Sequence, residues 1–256
     1  MGFVQGNTSG GSSSNTTSKS VTLGAAVTSG NAIVGSFTYE DTVTTRLSDI
    51  VDDKGNSYKA NVFSIVDSGE PQFLCMFWGA PTNGPTTFTG STTAGKPFMS
   101  ISVDELDGVD PSGGITGHGL QVQASPGTGT DAVKSGSTFG ASGDIRWGFT
   151  SLDDTGGIAI THGTGYTQGQ NTTPASGTNP SICSEWMVSA GAADVTFKLA
   201  TNTRTITGGI SFSPASGAGG TAVFRRTLSP VGTRSGSRQT FAFRKGLLVP
   251  VFGLAA

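Results

Sequence analysis

Apolar residues along this chain recur every second position in short runs, and the runs are separated by turn residues. Ala32, Val34 and Ser36 alternate with Ile33, Gly35 and Phe37. In 59–66, Ala60, Val62, Ser64 and Val66 oppose Asn61, Phe63 and Ile65. Met99, Ile101 and Val103 share one face, as do Ile145, Trp147 and Phe149 against Arg146 and Thr150. Further on, Val195, Phe197 and Leu199 oppose Thr196 and Lys198, and Ile206, Ile210 and Phe212 oppose Thr205, Thr207 and Ser211. Period two is the signature of a pleated strand with one face toward a core, and a slip of one residue would expose every apolar set. About ten such runs precede residue 214, joined by turns such as Asp53-Lys54-Gly55-Asn56 and Thr82-Asn83-Gly84-Pro85. No stretch carries helical periodicity. The expectation is an all-β, antiparallel two-sheet sandwich.

The run 73–78 differs from the others. Phe73, Cys75 and Phe77 occupy one face and Leu74, Met76 and Trp78 the other, so this strand is expected to be covered on both sides. A loop or the C-terminal segment is the expected cover, with a subunit interface as the alternative.

Composition supports β structure. Forty glycines and 12% charged residues suit turns and half-buried strands better than helices. The first 18 residues, with Gly10-Gly11-Ser12-Ser13-Ser14, read as a flexible or partner-ordered lead-in, and 19–213 as the sandwich domain. Residues 214–220 read as a Gly/Ser/Ala linker and 221–256 as an extended C-terminal arm.

Charge sharpens that division. The formal net charge is −2, yet all seventeen acids lie in the first 220 residues together with only nine Lys/Arg. The arm holds Arg225, Arg226, Arg234, Arg238, Arg244 and Lys245 and no acid. A basic segment beside an acidic body suits docking on an acidic surface, either of this protein, of another copy or of a partner. Phe224, Phe241, Phe243 and Leu247 would bury apolar area in that contact, and the short β-like patches suit strand addition to a neighbour's sheet edge. A terminal hairpin packed on its own domain is the competing reading. Nucleic acid is not the expected partner, because the body is acidic and the arm lacks a dense basic run. The opening residues show neither a charged leader nor an apolar stretch, and Gly246–Ala256 is half the length of a span and contains Pro250, so no signal peptide, membrane insertion or anchor is expected.

Chemistry-bearing residues are sparse. Cys75 and Cys183 lie in apolar runs and read as buried thiols. His118 and His162 lie in Gly-rich loops without neighbouring ligands. Asp52, with Gly55 and Asn56, reads as a turn that positions Tyr58; a calcium site using Asp49, Asp52, Asp53 and Asn56, with Asp107 and Asp110, is the alternative. A carboxyl pair drawn from Asp104, Glu105, Asp107 and Glu185 would be the raw material of a glycosidase, but no spacing singles one out. No nucleophile elbow, Walker loop or H-E-x-x-H motif is present, so no catalytic residue, metal ligand or cofactor site is assigned. Tyr166, after Gly163-Thr164-Gly165, is the best candidate for an exposed sugar contact; Trp186 reads as core.

Several segments resemble a known group in order and spacing: Asp52-Asp53-Lys54-Gly55-Asn56-Ser57-Tyr58, Glu105-Leu106-Asp107-Gly108-Val109-Asp110, Gly165-Tyr166-Thr167, Ser184-Glu185-Trp186-Met187-Val188, and 193–199 leading to Ile210-Ser211-Phe212. Together, over about residues 20–213, they resemble the jelly-roll or Ig-like β-sandwich modules of tailed-phage virion proteins and bacterial surface proteins. The resemblance implies a structural or adhesive role and carries over no catalytic residues. With the arm, which lies outside the shared pattern, it implies a virion component assembled in the host cytoplasm, a capsid decoration or tail protein. Its partners would be other virion proteins and copies of itself. The alternative is a carbohydrate-binding adhesin whose partner is a cell-surface glycan.

Overall fold

The computed structural model describes residues 1–10, 14–40, 47–67, 70–111, 123–126, 132–134, 140–152, 157–172, 181–200, 204–215, 240–244 and 247–251. The chain divides into two units, Met1–Gly217 and Ala218–Ala256. Every strand pairing is antiparallel and no helix occurs among the described residues.

In the first unit the leading strands are β1 (Gly2–Ser9), β2 (Thr16–Thr22), β3 (Ala32–Glu40), β4 (Leu47–Asp52), β5 (Lys59–Asp67), β6 (Glu70–Gly79), β7 (Thr87–Lys96) and β8 (Ser100–Asp107). They form a five-stranded sheet, β1-β8-β3-β6-β5, and a three-stranded sheet, β2-β7-β4. The next eight are β9 (Gln123–Pro126), β10 (Ala132–Lys134), β11 (Ile145–Leu152), β12 (Ile160–His162), β13 (Thr167–Thr172), β14 (Ile182–Val188), β15 (Thr196–Leu199) and β16 (Arg204–Phe212). They form β13-β14-β11-β16-β9 and β10-β15-β12. Shifting the second set back by eight strands reproduces the first order in both sheets. The first unit is therefore two copies of one eight-stranded sandwich.

Strand pairings show that the copies agree residue by residue. Gly35 lies opposite Phe77 in β6, as Gly148 lies opposite Glu185 in β14. Phe37 pairs with Cys75 and Thr150 with Cys183; Val34 pairs with Trp78 and Trp147 with Trp186. The same correspondence carries to the closing strands, where Val34 faces Asp104 and Trp147 faces Ile210. Glycine at 35 and 148 is a packing requirement in both copies. A Cβ at Gly35 would sit 2.4 Å from the Phe77 ring, and one at Gly148 would sit 2.2 Å from Val195 Cγ1, well inside van der Waals contact.

Three apolar cores separate the four sheets. Ile33, Phe37, Phe77, Ile101 and Val103 pack on Val21, Ile50 and Phe88. Val34, Leu74, Met76 and Leu106 pack on Ile145, Trp147, Phe149, Ile210 and Phe212. Leu152 and Cys183 pack on Ile160, Val195, Phe197 and Leu199. The middle core lies between the two copies, which turn corresponding faces toward each other.

The alternation of apolar residues is realised as expected for Met99, Ile101 and Val103, for Val195, Phe197 and Leu199, and for Ile206, Ile210 and Phe212. Three expectations are corrected. Among the described residues the body has four sheets with sixteen strands, not one pair of sheets with about ten. β6 is covered on both faces, but the cover on its Leu74, Met76, Trp78 side is the second copy in the same chain. Where it is described, the expected flexible or partner-ordered lead-in is strand: β1 pairs with β8 along Gly2–Ser9, and β2 begins at Thr16. The pairing leaves the edge of β8 covered, which is sufficient reason for a strand with two glycines and little apolar alternation to be held there.

In the second unit, β17 (Thr240–Arg244) and β18 (Leu247–Val251) form an antiparallel hairpin, with Phe241 opposite Pro250 and Phe243 opposite Leu248.

Candidate functional site

Among the residues expected to dock a partner, Phe241, Phe243 and Arg244 lie on β17 and Leu247 on β18. Phe224, Arg225, Arg226, Arg234, Arg238 and Lys245 lie outside the described residues, as does His118.

The acidic groups of the body have separate local tasks. Asp52 Oδ1 accepts the N–H groups of Lys54 and Asn56, each at 2.9 Å, while Oδ2 accepts Asn56 Nδ2 at 2.8 Å and the Tyr58 hydroxyl at 2.7 Å. Gly55 has a φ of 77°. This is the hairpin turn read from the sequence, in which a short carboxylate substitutes for backbone acceptors. Asp53 accepts the N–H groups of Thr86 and Thr87, which hold its carboxyl below its usual range. Glu105 is buried and accepts Gln5 Nε2 and Asn31 Nδ2, each at 2.6 Å, and the Thr28 N–H at 2.9 Å. Asp107 takes the chain's N-terminal ammonium at 3.4 Å. Among the described residues no three His, Cys, Asp or Glu side chains come together as a metal-ligating group.

Asp104 sits in the seam between the copies, with no solvent exposure. Its Oδ2 accepts Trp147 Nε1 and Ser184 Oγ, each at 2.7 Å, both from the second copy. Burial pushes its carboxyl up to about 6, against the opposing effect of those two bonds.

The most unusual group is Arg146, on β11. It is only 1% exposed. Its Nη1 donates to the Tyr166 hydroxyl at 3.1 Å, and its Nη2 donates to Ser189 Oγ at 2.7 Å and to the Gly191 carbonyl. The Tyr166 hydroxyl in turn donates to the Asp194 carbonyl at 2.9 Å. Beside them Glu185 is buried, accepting the Gly163 N–H on Oε2 at 2.7 Å. Burial raises its carboxyl to about 8, with the Gly163 and Thr196 N–H groups and Arg146 pulling the other way. Burial likewise lifts the Tyr166 hydroxyl to about 12, with Arg146 opposing. Above this cluster opens a cleft of about 410 Å³, lined by Arg146, Thr164, Tyr166, Met187, Asp194, Thr196 and the small residues 190–193.

Tyr166 is therefore not the exposed sugar platform expected from its Gly-rich surroundings. At 7% exposure its ring belongs to the third core, and its hydroxyl is held from both sides. Trp186 packs against the middle core, as expected. Cys75 and Cys183 are free, buried thiols in different cores. His162 has Nδ1 at 3.1 Å from the Gly163 carbonyl.

Arg146 is not among the candidate residues that the sequence singles out, where it only alternates with Ile145 and Trp147. The signal that points to it is the internal repeat: Cys75 and Trp78 recur as Cys183 and Trp186 at one separation, and Gly35 recurs as Gly148. Aligning on those anchors sets Arg146 where the first copy has buried Ile33. Comparisons with protein-family models, with curated proteins and with solved structures found no match.

Proposed function

We propose that this chain is a non-enzymatic structural protein of a tailed-phage virion, a capsid decoration or tail component fastened through its basic C-terminal unit. The observation that carries this reading is the division at residue 217, which separates an acidic body of two stacked sandwiches from a segment with six basic residues and no acid. Charge of opposite sign in separate units suits a segment that engages acidic neighbours, including other copies. The β17–β18 hairpin supplies two strands with backbone donors and acceptors for strand addition.

The wrapping of each copy fits the jelly-roll class expected from the resemblance. First and eighth, second and seventh, and third and sixth strands pair in both halves, the pattern of a folded-over hairpin closed into two sheets. A body so built offers a rigid surface, and its buried carboxylates serve turns and the seam. No helix among the described residues is long and apolar enough to cross a membrane.

The test is deletion of residues 221–256 followed by particle assembly in the producing host. Loss of the truncated protein from purified particles, with its body still folded by circular dichroism, is the expected outcome. Undiminished incorporation would refute anchoring by this segment.

A further inference from the structure

Each five-stranded sheet has two edges, and the internal repeat allows the four edges to be compared. β1 and β13 carry register shifts in their pairing, between Phe3 and Gln5 and between Gln168 and Asn171. β9 is four residues long and ends at Pro126. Bulges, shortness and proline are ordinary protections of an open strand against pairing with another chain. β5, the counterpart of β13, has none of them. It pairs with β6 at nine successive positions, Lys59 to Asp67, without a shift, and no described strand lies beyond it in the sheet. Charge sits only at its ends. Between them, Ala60-Asn61-Val62-Phe63-Ser64-Ile65-Val66 contains no proline or glycine and is rich in strand-forming residues. Lys59, Ala60, Asn61 and Val62 are all exposed, so both faces of the strand meet solvent there. Val62 is 47% exposed although it lies opposite buried Cys75, at the rim of the first core.

We propose that the β5 edge is an interface with the β5 edge of a second copy, joined antiparallel about a two-fold axis at Phe63. The charges select this partner and this register. With Phe63 opposite its own equivalent, Lys59 lies opposite the partner's Asp67 at both ends of the pair, and Val62 lies opposite the partner's Ser64. A slide of two residues in either direction separates both ion pairs. A parallel arrangement sets lysine beside lysine and aspartate beside aspartate, which is unfavourable. In the antiparallel pair each open row of backbone donors and acceptors completes the other. The two five-stranded sheets then run on as one of ten strands, and the apolar rim at Val62 is covered. Such a contact uses the same edge twice and closes at two copies. With nine residues a side it falls below the usual interface of about 20–30, so the pairing is weak, with a Kd of about 100 µM, and dilute protein is monomeric. This edge owes nothing to the C-terminal unit, so the anchoring role and this one succeed or fail separately.

The experiment is sedimentation velocity of the full chain between about 10 and 500 µM, with circular dichroism to check that each variant is folded. Monomer at the low end and a growing share of dimer at the high end are expected. Val62→Lys, made at an exposed position, sets two ammonium groups near the axis and should raise the Kd at least about tenfold. Asp67→Lys alone should weaken pairing about three- to tenfold, and adding Lys59→Asp in the same chain should restore it to within about twofold of the parent. Three results overturn the proposal: no dimer at about 500 µM, a dimer that Val62→Lys leaves unchanged, or a charge-swapped double variant as weak as Asp67→Lys alone. A dimer lost on deletion of residues 221–256 also overturns it, and assigns self-association to the C-terminal unit.

Discussion

Replacing Asp104 by asparagine removes a charge from the seam while keeping an acceptor for Trp147 and Ser184, and the consequence is best read as a function of pH. The carboxyl titrates near 3.8 when exposed and is pushed up to about 6 when folded. Between those values the folded state holds the proton more tightly than the unfolded state. Unfolding therefore releases a proton, and stability falls as pH rises through that window. A displacement of roughly two pH units corresponds to about 3 kcal/mol, fully felt above pH 6 and absent below pH 4. Asp104→Asn abolishes this dependence. Urea unfolding of both proteins at pH 4, 5, 6 and 7 gives the measurement. The difference in stability between asparagine variant and parent should move by about 3 kcal/mol in the variant's favour from pH 4 to pH 7. Glu185, whose carboxyl is also raised, titrates in both proteins and drops out of the difference. Parallel stability curves, within about 0.5 kcal/mol across that range, would show that Asp104 is not a desolvated carboxylate in the folded protein.

Four further outcomes follow from the packing. Gly148→Ala should destabilise by about 1–3 kcal/mol through its clash with Val195, and Val195→Ala in the same chain should recover part of the loss in urea titrations. Tyr166→Phe should cost about 1–3 kcal/mol, because Arg146 Nη1 and the Asp194 carbonyl each lose a buried partner; unchanged thermal unfolding would contradict that geometry. Burial raises both thiols, Cys75 to about 12 and Cys183 as well, so a disulfide reagent at pH 8 should label neither until denaturant is added. A fragment of residues 1–110 should self-associate poorly, and Asp104→Leu should make it dimerise, as light scattering would show.

Much of the strand-level structure is legible in the sequence, and the reasons are local. Period-two runs such as Met99, Ile101 and Val103 can be read because only one face of each needs to be apolar. The turn at Asp52 can be read because its capping carboxylate, glycine and asparagine lie within five residues. What escapes is whatever depends on partners distant in sequence. β6 is apolar on both faces, which says that something covers it but not that residues 145–212 do so. β1 carries no strong alternation, since Gly2, Gly6 and Thr8 obtain their conformation from pairing with β8. Arg146 looks like a solvent-facing residue in a half-buried strand, because burial of a guanidinium is decided by Tyr166, Ser189 and Gly191, each supplied from another segment.

The seam shows how a duplicated fold keeps its copies distinct. Both copies present corresponding strands to the middle core, so two first copies from different chains can in principle meet through the same face, as in a symmetric dimer. The substitutions between the copies act against this. Asp104 corresponds to Ile210, and its two donors, Trp147 and Ser184, correspond to Val34 and Met76. Against the second copy, Asp104 meets an indole N–H and a hydroxyl. Against another first copy it would meet a valine and a methionine, and two carboxylates would be buried with no donor. Leaving a buried charge unpaired costs several kcal/mol, which is more than most single apolar contacts return. One aspartate therefore makes pairing within the chain favourable and pairing between chains unfavourable. It does so on the apolar surface that would otherwise be most prone to association.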